Sequence, residues 1–559
     1  MNFLTKNQFK MRLLTGAFLL AVLSLQISRT VSAAEFAIAT AHPLATQAGI
    51  DILKQGGNAF DAAIAVTTTL AVVEPYSSGL GGGGFYLLHD QKQNKQVMLD
   101  AREKAPLAAH RDMYLNAEGE VDHDLSMNGV FSAGIPGIPL ALDHLQSRGK
   151  LSLKQNLANA IKIAESGFEV DEIYLRMMKF RGDVVKRYES SALFFDQGNI
   201  PQIGWRLKQP DLAKTLKIIA ETGGKAFYQG GLAEKLVKGV RKNKGTWTKK
   251  DLTNYQVIER EPVRFSYAGA DIIAATLPSS GGIVLAQIFN MLQLMNFDQL
   301  NELQQKHVLI EAMRRAYRDR AAYLGDTDFI DVPKKLLSTD YARLQVSSIK
   351  LDRASKSTDL GNIVESKSGS DTTHFSIRDE AGNKVAATLS INYPFGSGLV
   401  IEGTGILLND EMDDFSAKPG VPNAYGLIGS EANAIESGKR MLSSMTPAFV
   451  NTTERSLISG TPGGSRIITM QLLAILSFLR GETADQIVAL PRFHHQFYPD
   501  KVFYEAAALS ATKLEQLSRL GHQTKPVGYN YGNMQVIVRD KMGKLDAASD
   551  PRGIGKAVP

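Results

Sequence analysis

Residues 371–376 read Asp-Thr-Thr-His-Phe-Ser, and this stretch decides the fold that the sequence predicts. Before it lies a polar segment, 351–371, which is rich in Ser, Lys, Asp and Gly. After it, 372–379 and 384–392 are predicted as two strands, because the four residues between them, Glu-Ala-Gly-Asn, are typical of a hairpin turn. A hydroxyl residue, Thr372, therefore stands where a polar segment meets a buried strand.

Thr372 at this junction suggests a specific chemistry. A threonine hydroxyl is a poor nucleophile until a base takes its proton, and a free α-amino group, titrating near ~7.7–8.0, is a suitable base at neutral pH. If the chain is cut between Asp371 and Thr372, one residue supplies both groups. The hydroxyl can make the cut itself by attacking the Asp371 carbonyl, which gives an ester that water hydrolyses. On the hairpin alone, an ordinary strand threonine is the better interpretation.

The N-terminal segment 1–33 is predicted to be a secretory signal peptide. Basic residues precede the apolar run Leu13–Ile27, and Val-Ser-Ala precedes Ala34. The apolar run is 15 residues long, shorter than the ~20 that a membrane-spanning helix needs. Cleavage after Ala33 is therefore favoured over a stable membrane anchor, and the expected location is the periplasm or the medium.

The composition is that of a globular protein with ample length for a large core, since 44% of the 559 residues are hydrophobic and 21% are charged. The formal net charge is +6, but residues 1–33 hold four basic and no acidic residues, so the remainder is near +2. This balance argues for no nucleic-acid partner. The chain has no Cys, which excludes disulfides, a Cys nucleophile and thiolate metal ligands.

The order of elements predicts an α+β fold, a layered αββα sandwich. Residues 42–73 look like two helices, and the strand Phe85–Leu88 follows four glycines, Gly81–Gly84. The glycines predict close backbone approach, rather than a flexible linker or a phosphate loop, for which no GK[ST] follows. Segment 140–340 is mostly helical by periodicity. Further strands are predicted at 372–392, 399–408, 448–450, 457–459 and 534–539.

One of the predicted helices carries a dense set of charged residues. We interpret it as a salt-bridged face rather than a ligand site, because four arginines share the helix with two carboxylates. Its residues are Glu311, Arg314, Arg315, Arg318, Asp319 and Arg320.

The second hairpin strand ends in polar residues that can serve the nucleophile. With an odd number of residues in the turn, Ser390 lies opposite Thr372, and Asn392 is diagonal to it on the same face. The hydroxyl can then orient the nucleophile, and the amide can contact both substrate and amine. An even turn would place Ile391 opposite instead.

Two further clusters and one arginine can recognise charged groups. Residues 409–415, Asn-Asp-Glu-Met-Asp-Asp-Phe, can cage a cation, although a solvated acidic loop is the usual alternative, and a calcium site lacks the EF-hand glycine and distal Glu. Ser443 and Ser444 can donate to a carboxylate. Arg102, just after a strand, can clamp a carboxylate with both nitrogens, but an isolated surface arginine explains it as well.

A glycine-rich turn precedes the apolar helix Ile467–Leu479. Residues 460–466 read Gly-Thr-Pro-Gly-Gly-Ser-Arg, and paired glycine N–H groups at a helix N-terminus bind anions. Beside a nucleophile such a site is an oxyanion hole. A purely structural turn is the alternative.

Taken together, these motifs resemble the γ-glutamyltransferases, or γ-glutamyl transpeptidases, a family of N-terminal-nucleophile hydrolases. Pro-Arg-Phe-His-His-Gln at 491–496 and Ser-Asp-Pro-Arg at 549–552 also resemble the bacterial members. The resemblance covers nearly all of the mature chain, in the family's order. It implies a four-layer αββα sandwich that cuts itself into a large subunit, 34–371, and a small catalytic subunit, 372–559, which remain associated as a heterodimer.

The resemblance also implies a reaction and a role for each motif. Thr372 would attack the γ-glutamyl amide of glutathione or a related compound and pass the acyl group to water, an amino acid or a peptide, with no cofactor or metal. Ser390 stands where the family usually has a threonine that contacts the nucleophile, and Tyr425 lies in a stretch that resembles a lid. The implied anchors are Gly463 and Gly464 for the oxyanion, Arg102, Ser443 and Ser444 for the α-carboxylate, and Asn392, Glu411 and Asp414 for the α-ammonium.

Three other functions are weaker alternatives. A glutaryl-type β-lactam acylase of the same superfamily has a substrate without an α-ammonium, so it would not need the cluster Asn392, Glu411 and Asp414. A non-catalytic exported binding protein would not need both the hydroxyl at 372 and the Gly-Gly turn. A zinc hydrolase is disfavoured because His494 and His495 are adjacent and no HExxH motif is present.

Overall fold

Two β-sheets lie face to face between helices in the computed structural model, which describes residues 36–360, 372–418 and 430–559. The predicted signal peptide, Asp371 and the predicted lid residue Tyr425 lie outside these ranges. Within them, no helix is both long and apolar enough to cross a membrane.

The described strands are mostly short and antiparallel. In chain order they are β1 (Ala37–Thr40), β2 (Gly83–Asp90), β3 (Lys95–Ala101), β4 (Phe168–Glu169), β5 (Arg206–Leu207), β6 (Ile258–Arg260), β7 (Val263–Tyr267), β8 (Ala270–Ala274), β9 (Thr373–Arg378), β10 (Lys384–Ser390), β11 (Val400–Ile401), β12 (Ile406–Leu407), β13 (Ala448–Asn451), β14 (Ser456–Gly460), β15 (Phe493–His494), β16 (Val502–Tyr504), β17 (Thr524–Pro526), β18 (Gln535–Arg539), β19 (Leu545–Ser549) and β20 (Lys556–Val558).

Two large sheets form the centre of the fold. Within the described residues, one has seven strands in the order β20-β1-β9-β10-β2-β3-β6, and the other has six in the order β19-β18-β14-β13-β8-β7. The predicted hairpin, β9 and β10, is at the middle of the first sheet. Strands from before and after the predicted cut alternate in this sheet, because β1 pairs with both β9 and β20, and β2 pairs with β10.

The alternation of side chains along a strand assigns them to two cores. In β2, Tyr86 and Leu88 point to the core shared with the first helical layer, whereas Phe85 and Leu87 point to the core between the sheets. All four side chains are fully or almost fully buried. A strand that is apolar on both faces is expected only where both faces are covered, as in a four-layer sandwich.

Helices cover both outer faces of the sheets. Ala59–Val73 packs on the first sheet and is buried along its whole length, and Gly281–Leu294 packs on the second. The predicted α+β fold with αββα layers is therefore confirmed. The described helices are Pro43–Lys54, Ala59–Val73, His123–Met127, Ile138–Gln146, Leu153–Ser166, Glu172–Val185, Pro210–Thr222, Gly230–Lys242, Lys249–Thr253, Gly281–Leu294, Glu302–Tyr323, Thr339–Ser347, Ile467–Leu479, Ala484–Ala489 and Ala511–Arg519.

The predicted strand 399–408 is wrong as a single element. The structure has two short strands there, β11 and β12, which pair with each other. Gly403 and Gly405 lie between them with φ of 70° and 67°. Backbone in this left-handed region interrupts a strand and favours a turn.

The run Gly81–Gly84 makes the close backbone contacts that the sequence predicts. A Cβ on Gly81 would lie 2.0 Å from the Leu407 carbonyl oxygen, and one on Gly82 would lie 2.2 Å from the Ser390 carbonyl oxygen. Only glycine lets this turn approach the end of β10. The run therefore helps to fix the position of Ser390.

Candidate active site

Thr372 is the residue immediately before β9, and its side chain is buried, with 7% of the residue exposed. The turn between β9 and β10 contains five residues, 379–383, and Leu389 lies opposite Thr373. Continued by one residue, this register places Ser390 opposite Thr372. Of the two registers considered from the sequence, the one for an odd turn is therefore observed.

The glycine-rich turn reaches the predicted nucleophile. The Gly463 N–H donates to Thr372 Oγ1 at 3.2 Å, and Gly464 lines the same cavity. Their φ angles are 140° and 56°, values that side chains other than hydrogen rarely permit. A short 3₁₀ turn then leads into the helix Ile467–Leu479. The turn before this helix places the Gly463 N–H beside the hydroxyl, where it can also reach the oxygen of a carbonyl group that the hydroxyl attacks.

Ser390 and Asn392 are hydrogen-bonded to the acidic cluster. The Asn392 N–H donates to Ser390 Oγ at 2.7 Å, and Asn392 Nδ2 donates to the Asp410 carbonyl at 3.0 Å. Ser390 also hydrogen-bonds to Glu411, and this bond favours the ionised carboxylate. Asn392, two residues after the end of β10, has φ of 74°. In this left-handed conformation its side chain reaches the acidic loop.

Arg102 and the acidic cluster form one buried ion-pair network. Arg102 Nη1 donates to Glu411 Oε2 at 2.5 Å, and Nη2 donates to Asp414 Oδ2 at 2.5 Å. Glu103 Oε2 lies 3.5 Å from Arg102 Nη1. Arg102 is 1% exposed. The residues that the sequence predicts as separate anchors for a carboxylate and an ammonium group are thus paired with each other.

Burial and ion pairing have opposing effects on the pKa values of this network. Burial raises the pKa of Glu411 to about 7, although Arg102 opposes the shift. Burial and the charge of Glu411 also hold the pKa of Glu103 well above its usual range. Burial alone would lower the pKa of Arg102, but Glu411, Asp414 and Glu103 raise it. The arginine therefore stays charged, and Glu411 is the carboxylate that titrates near neutral pH.

The serine pair is held by a part of the chain that the sequence did not assign to the site. Arg320 Nη2 donates to Ser444 Oγ at 3.1 Å, and Arg320 Nε donates to Ser280 Oγ at 2.9 Å. The Ser280 N–H and hydroxyl both donate to the Ser443 carbonyl oxygen, at 2.8 and 2.7 Å. The segment before helix Gly281–Leu294 and the helix Glu302–Tyr323 therefore orient both serines.

The interpretation of the charged helix as a salt-bridged face is wrong for Arg320. Arg315 pairs with Glu311 at 2.6 Å and Arg318 pairs with Asp319 at 2.6 Å, as expected. Arg320 instead lines the cavity beside Thr372. No sequence pattern signals this difference, because only the tertiary packing turns this arginine toward the serines.

The predicted site residues meet around one cavity of about 30 Å³. This volume holds about two water molecules. The lining residues are Arg102, Arg320, Thr372, Ser390, Asn392, Glu411, Asp414, Leu442, Ser443, Ser444, Met445, Gly464, Ser465 and Ile467.

His374, two residues after Thr372, has a structural place. Its ring nitrogens hydrogen-bond to Thr388 Oγ1 at 2.8 Å and Ser376 Oγ at 3.3 Å. Burial lowers the pKa of His374 to about 3, so the ring is neutral at physiological pH. A Cβ on Gly460 would lie 2.1 Å from the ring, which shows how closely the second sheet packs on it.

The histidines do not form a zinc site of the kind weighed from the sequence. His494 contacts Thr469 and Gln496, and His495 contacts Asp500. Among the described residues, the group close enough to share a metal ion is instead His307, Glu311 and His522. Glu311 there accepts from Arg314 and Arg315, whose charges disfavour a cation.

Comparison with known proteins identifies the family of this chain. The family model for gamma-glutamyltranspeptidase matches residues 45–559. The chain belongs to this family. The resemblance inferred from the motifs is therefore confirmed over nearly the full length.

Individual proteins and solved structures are also similar to this γ-glutamyltranspeptidase family member. The glutathione hydrolase proenzyme of Pseudomonas aeruginosa is 42% identical over 531 residues, which are 93% of each chain. The crystal structure of Helicobacter pylori gamma-glutamyltranspeptidase is 40% identical, with a TM-score of 0.55 over 57% of this chain and 92% of that chain. A cephalosporin acylase from Bacillus halodurans is 29% identical, with a TM-score of 0.82 over 94% of this chain and 96% of that chain.

Proposed function

We propose that this protein is a self-cleaving γ-glutamyltransferase and glutathione hydrolase in which Thr372 is the nucleophile. The observation that carries the proposal is the 3.2 Å contact between the Gly463 N–H and Thr372 Oγ1. It lies in the cavity that also contains Arg102, Glu411 and Asp414. A nucleophile, an oxyanion donor and anchors of both charges are what attack on a γ-linked glutamate requires.

Maturation begins with an attack by Thr372 on the preceding peptide bond. Thr372 Oγ1 adds to the Asp371 carbonyl carbon, the C–N bond breaks, and the nitrogen gains the proton and becomes the α-amine. Water then hydrolyses the ester and leaves a carboxylate on Asp371. The products are a large subunit, 34–371, and a small subunit, 372–559. The alternation of their strands in the central sheet supports a stable heterodimer.

Substrate binding exchanges one set of ion pairs for another. The α-carboxylate of the γ-glutamyl group binds Arg102, Ser443 and Ser444, and its α-ammonium binds the cluster Asn392, Glu411 and Asp414. The charges of the substrate then replace the pairing that Arg102 makes with Glu411 and Asp414. Because both sets of contacts are charge-assisted, the exchange recovers most of the lost interaction.

Acyl transfer follows from the same groups. The free α-amine of Thr372 takes the hydroxyl proton as Oγ1 attacks the γ-carbonyl carbon. The Gly463 and Gly464 N–H groups stabilise the oxyanion of the tetrahedral intermediate, and Ser390 keeps the nucleophile oriented. The amine product leaves with the proton, and water or an acceptor amine then attacks the γ-glutamyl ester.

The proposed function also includes the acceptors of the γ-glutamyl group and the location of the protein. The acceptors are amino acids or short peptides. Residues 1–33 direct export and are then removed, and the protein works in the periplasm or the medium without a stable membrane anchor. The basic, apolar and small-residue order of the N-terminus supports export.

Intact-mass spectrometry and N-terminal sequencing of purified, active protein test the proposal directly. Two polypeptides are expected, one beginning at Ala34 and one beginning Thr-Thr-His. A single chain with full activity, or a second polypeptide that begins elsewhere, would refute the N-terminal-nucleophile mechanism.

The glutaryl-type acylase remains the second candidate, because the fold similarity to a cephalosporin acylase is high. The buried network of Arg102, Glu411 and Asp414 favours the γ-glutamyl substrate, since a glutaryl group has no ammonium to bind the carboxylates. The kcat/KM values for γ-glutamyl and glutaryl anilides decide between the two. The acylase assignment is favoured if the glutaryl compound is the better substrate.

A further inference from the structure

A second concave pocket lies at the opposite end of the β9–β10 hairpin from Thr372. Its volume is about 430 Å³. The two strands extend about 20 Å between this pocket and the nucleophile, at about 3.3 Å per residue. The pocket is lined by basic and uncharged polar residues, one glutamate, and one alanine and one glycine of the hairpin turn: Gln91, Arg378, Ala381, Gly382, Lys384, Asn451, Thr452, Thr453, Glu454, Arg455, Ser456, Arg539 and Lys541.

Cations from both sheets converge on this pocket. Arg378, the last residue of β9, pairs directly with Lys384, the first residue of β10. The Lys384 side chain extends toward the second sheet, where Nζ donates to Asn451 Oδ1 at 3.2 Å and lies 5.7 Å from the centre of the Phe449 ring. Arg539 ends β18 in the second sheet. The basic groups therefore occupy the end of the space between the sheets.

Nearby carboxylates compensate only part of this charge. Lys541 pairs with Glu454 at 3.7 Å, whereas Lys384 and Arg539 form no ion pair within 4.0 Å with any carboxylate of the described ranges. Arg455 also borders the pocket, but its guanidinium donates to the backbone carbonyls of Phe478 and Glu482.

The electrostatic cost of this arrangement falls on Lys384. Burial, reinforced by the charges of Arg378 and Arg539, lowers the pKa of Lys384 to about 8. Like charges directly opposite each other in a β-ladder destabilise it. A bound anion would remove this repulsion and restore the ordinary charge state of the lysine.

We propose that the pocket bounded by Arg378, Lys384 and Arg539 is a binding site for a small multivalent oxyanion of the phosphate or polycarboxylate type. Guanidinium groups bind either class through two parallel hydrogen bonds, and Lys384 adds a point charge between the sheets. The site is separate from the cavity around Thr372, and the inference does not depend on the proposed reaction.

Isothermal titration calorimetry of the mature protein with inorganic phosphate, at ionic strength held constant with sodium chloride, tests the site. We expect one phosphate per protein, with an affinity that falls about tenfold or more in Lys384→Met/Arg539→Gln, because two charge-assisted contacts are lost. The matched control is Arg176→Gln/Lys179→Gln, which removes the same charge from two exposed positions on another face. Equal binding by both variants, or no binding by the wild type, overturns the proposal for phosphate.

Citrate in the same titration distinguishes the two sources of the oxyanion. Tighter binding of citrate than of phosphate, abolished in the pocket variant only, assigns the site to polycarboxylates. Tighter binding of phosphate assigns it to phosphate compounds. If neither anion binds more tightly to the wild type than to the pocket variant, the site does not exist.

Thermal unfolding gives an independent test that uses a single substitution. In chloride, Lys384→Met should raise the Tm by about 2 °C, because it removes the repulsion and keeps the apolar contact with Phe449. In phosphate, the wild-type Tm should rise by a similar amount and that of the variant should not. A variant that is less stable in chloride, or that gains as much from phosphate as the wild type, contradicts the proposal. Arg539→Gln, at an exposed position, repeats the test where folding is not at risk.

Discussion

The two ends of the β9–β10 hairpin have opposite electrostatic designs. At the end that carries Thr372 and Ser390, Arg102 is neutralised by Glu411 and Asp414 inside the protein. At the other end, Lys384 faces Arg378 across the ladder, and Arg539 approaches from the second sheet. A pocket that contains both charges suits a zwitterion, and a pocket with excess positive charge suits an anion. The charges that line each pocket thus match the charge of the ligand that we propose for it.

Removal of the Thr372 hydroxyl should have the largest effect. Thr372→Ala is expected to leave the chain uncut and to abolish γ-glutamyl transfer, because the proposed mechanism uses the same hydroxyl in both reactions. A denaturing gel and an anilide assay measure the two outcomes. Thr372→Ser is the matched control, since it retains the hydroxyl and should still be cut, more slowly. Normal processing of the alanine variant would disprove the assignment.

Loss of the Arg102 charge should come next in size. Arg102→Ala is expected to raise KM for a γ-glutamyl anilide by about a hundredfold, because truncating one partner of a buried ion pair costs several kcal/mol. The change in kcat should be smaller.

Arg102→Lys is the control, because it keeps the charge and loses the two-nitrogen geometry, and its KM should lie between those of the wild type and the alanine variant. The carboxylate-anchor role would be wrong if Arg102→Ala left KM unchanged.

Substitution of Arg320 tests whether this residue positions Ser444. Arg320→Gln should raise KM by about tenfold with little change in kcat, because the arginine orients Ser444 through one charge-assisted bond. Arg318→Gln, on the same helix but paired with Asp319, removes an equal charge and should leave KM nearly unchanged. Equal effects of the two variants would indicate general destabilisation of the helix instead of a positioning role.

The pH dependence of KM should report the titration of Glu411. Its pKa is raised to about 7, so Glu411 becomes protonated as the pH falls through that value. The neutral carboxyl group then loses the negative charge that attracts the substrate ammonium group. KM is therefore expected to rise several-fold between pH 8 and about 6. This increase should disappear in Glu411→Gln, whose KM should be high and flat over the same range. A wild-type KM that does not change with pH would contradict the ammonium-anchor role.

The smallest effect is expected at Ser390. Ser390→Thr restores the methyl group that the family usually has at this position and should change kcat less than about threefold, since the hydroxyl remains. Ser390→Ala should lower kcat further, because the contacts with Asn392 and Glu411 are lost. If Ser390→Ala retains the wild-type kcat, the hydroxyl does not orient the nucleophile.

Local sequence patterns predicted the parts of this molecule whose geometry depends on neighbouring residues. The turn residues at 380–383 predicted the hairpin, and the run Gly81–Gly84 predicted close backbone approach. Two features escaped for a physical reason: the side-chain direction of Arg320 depends on packing against Ser280 and Ser444, and the basic pocket forms only when two sheets are stacked. The prediction of one strand over 399–408 is wrong because Gly403 and Gly405 form a turn within it.

The alternation of strands in the central sheet also constrains the order of events in biogenesis. If the chain is cut before Thr372, the described parts of the two fragments still share four hydrogen-bonded ladders, β1 with β9, β1 with β20, β2 with β10, and β8 with β13. Neither fragment can complete its sheets alone, so folding has to precede cutting. Separately synthesised halves should assemble poorly, and a mature protein that has been unfolded should not regain its activity on dilution, because the link that brought the strands together is gone.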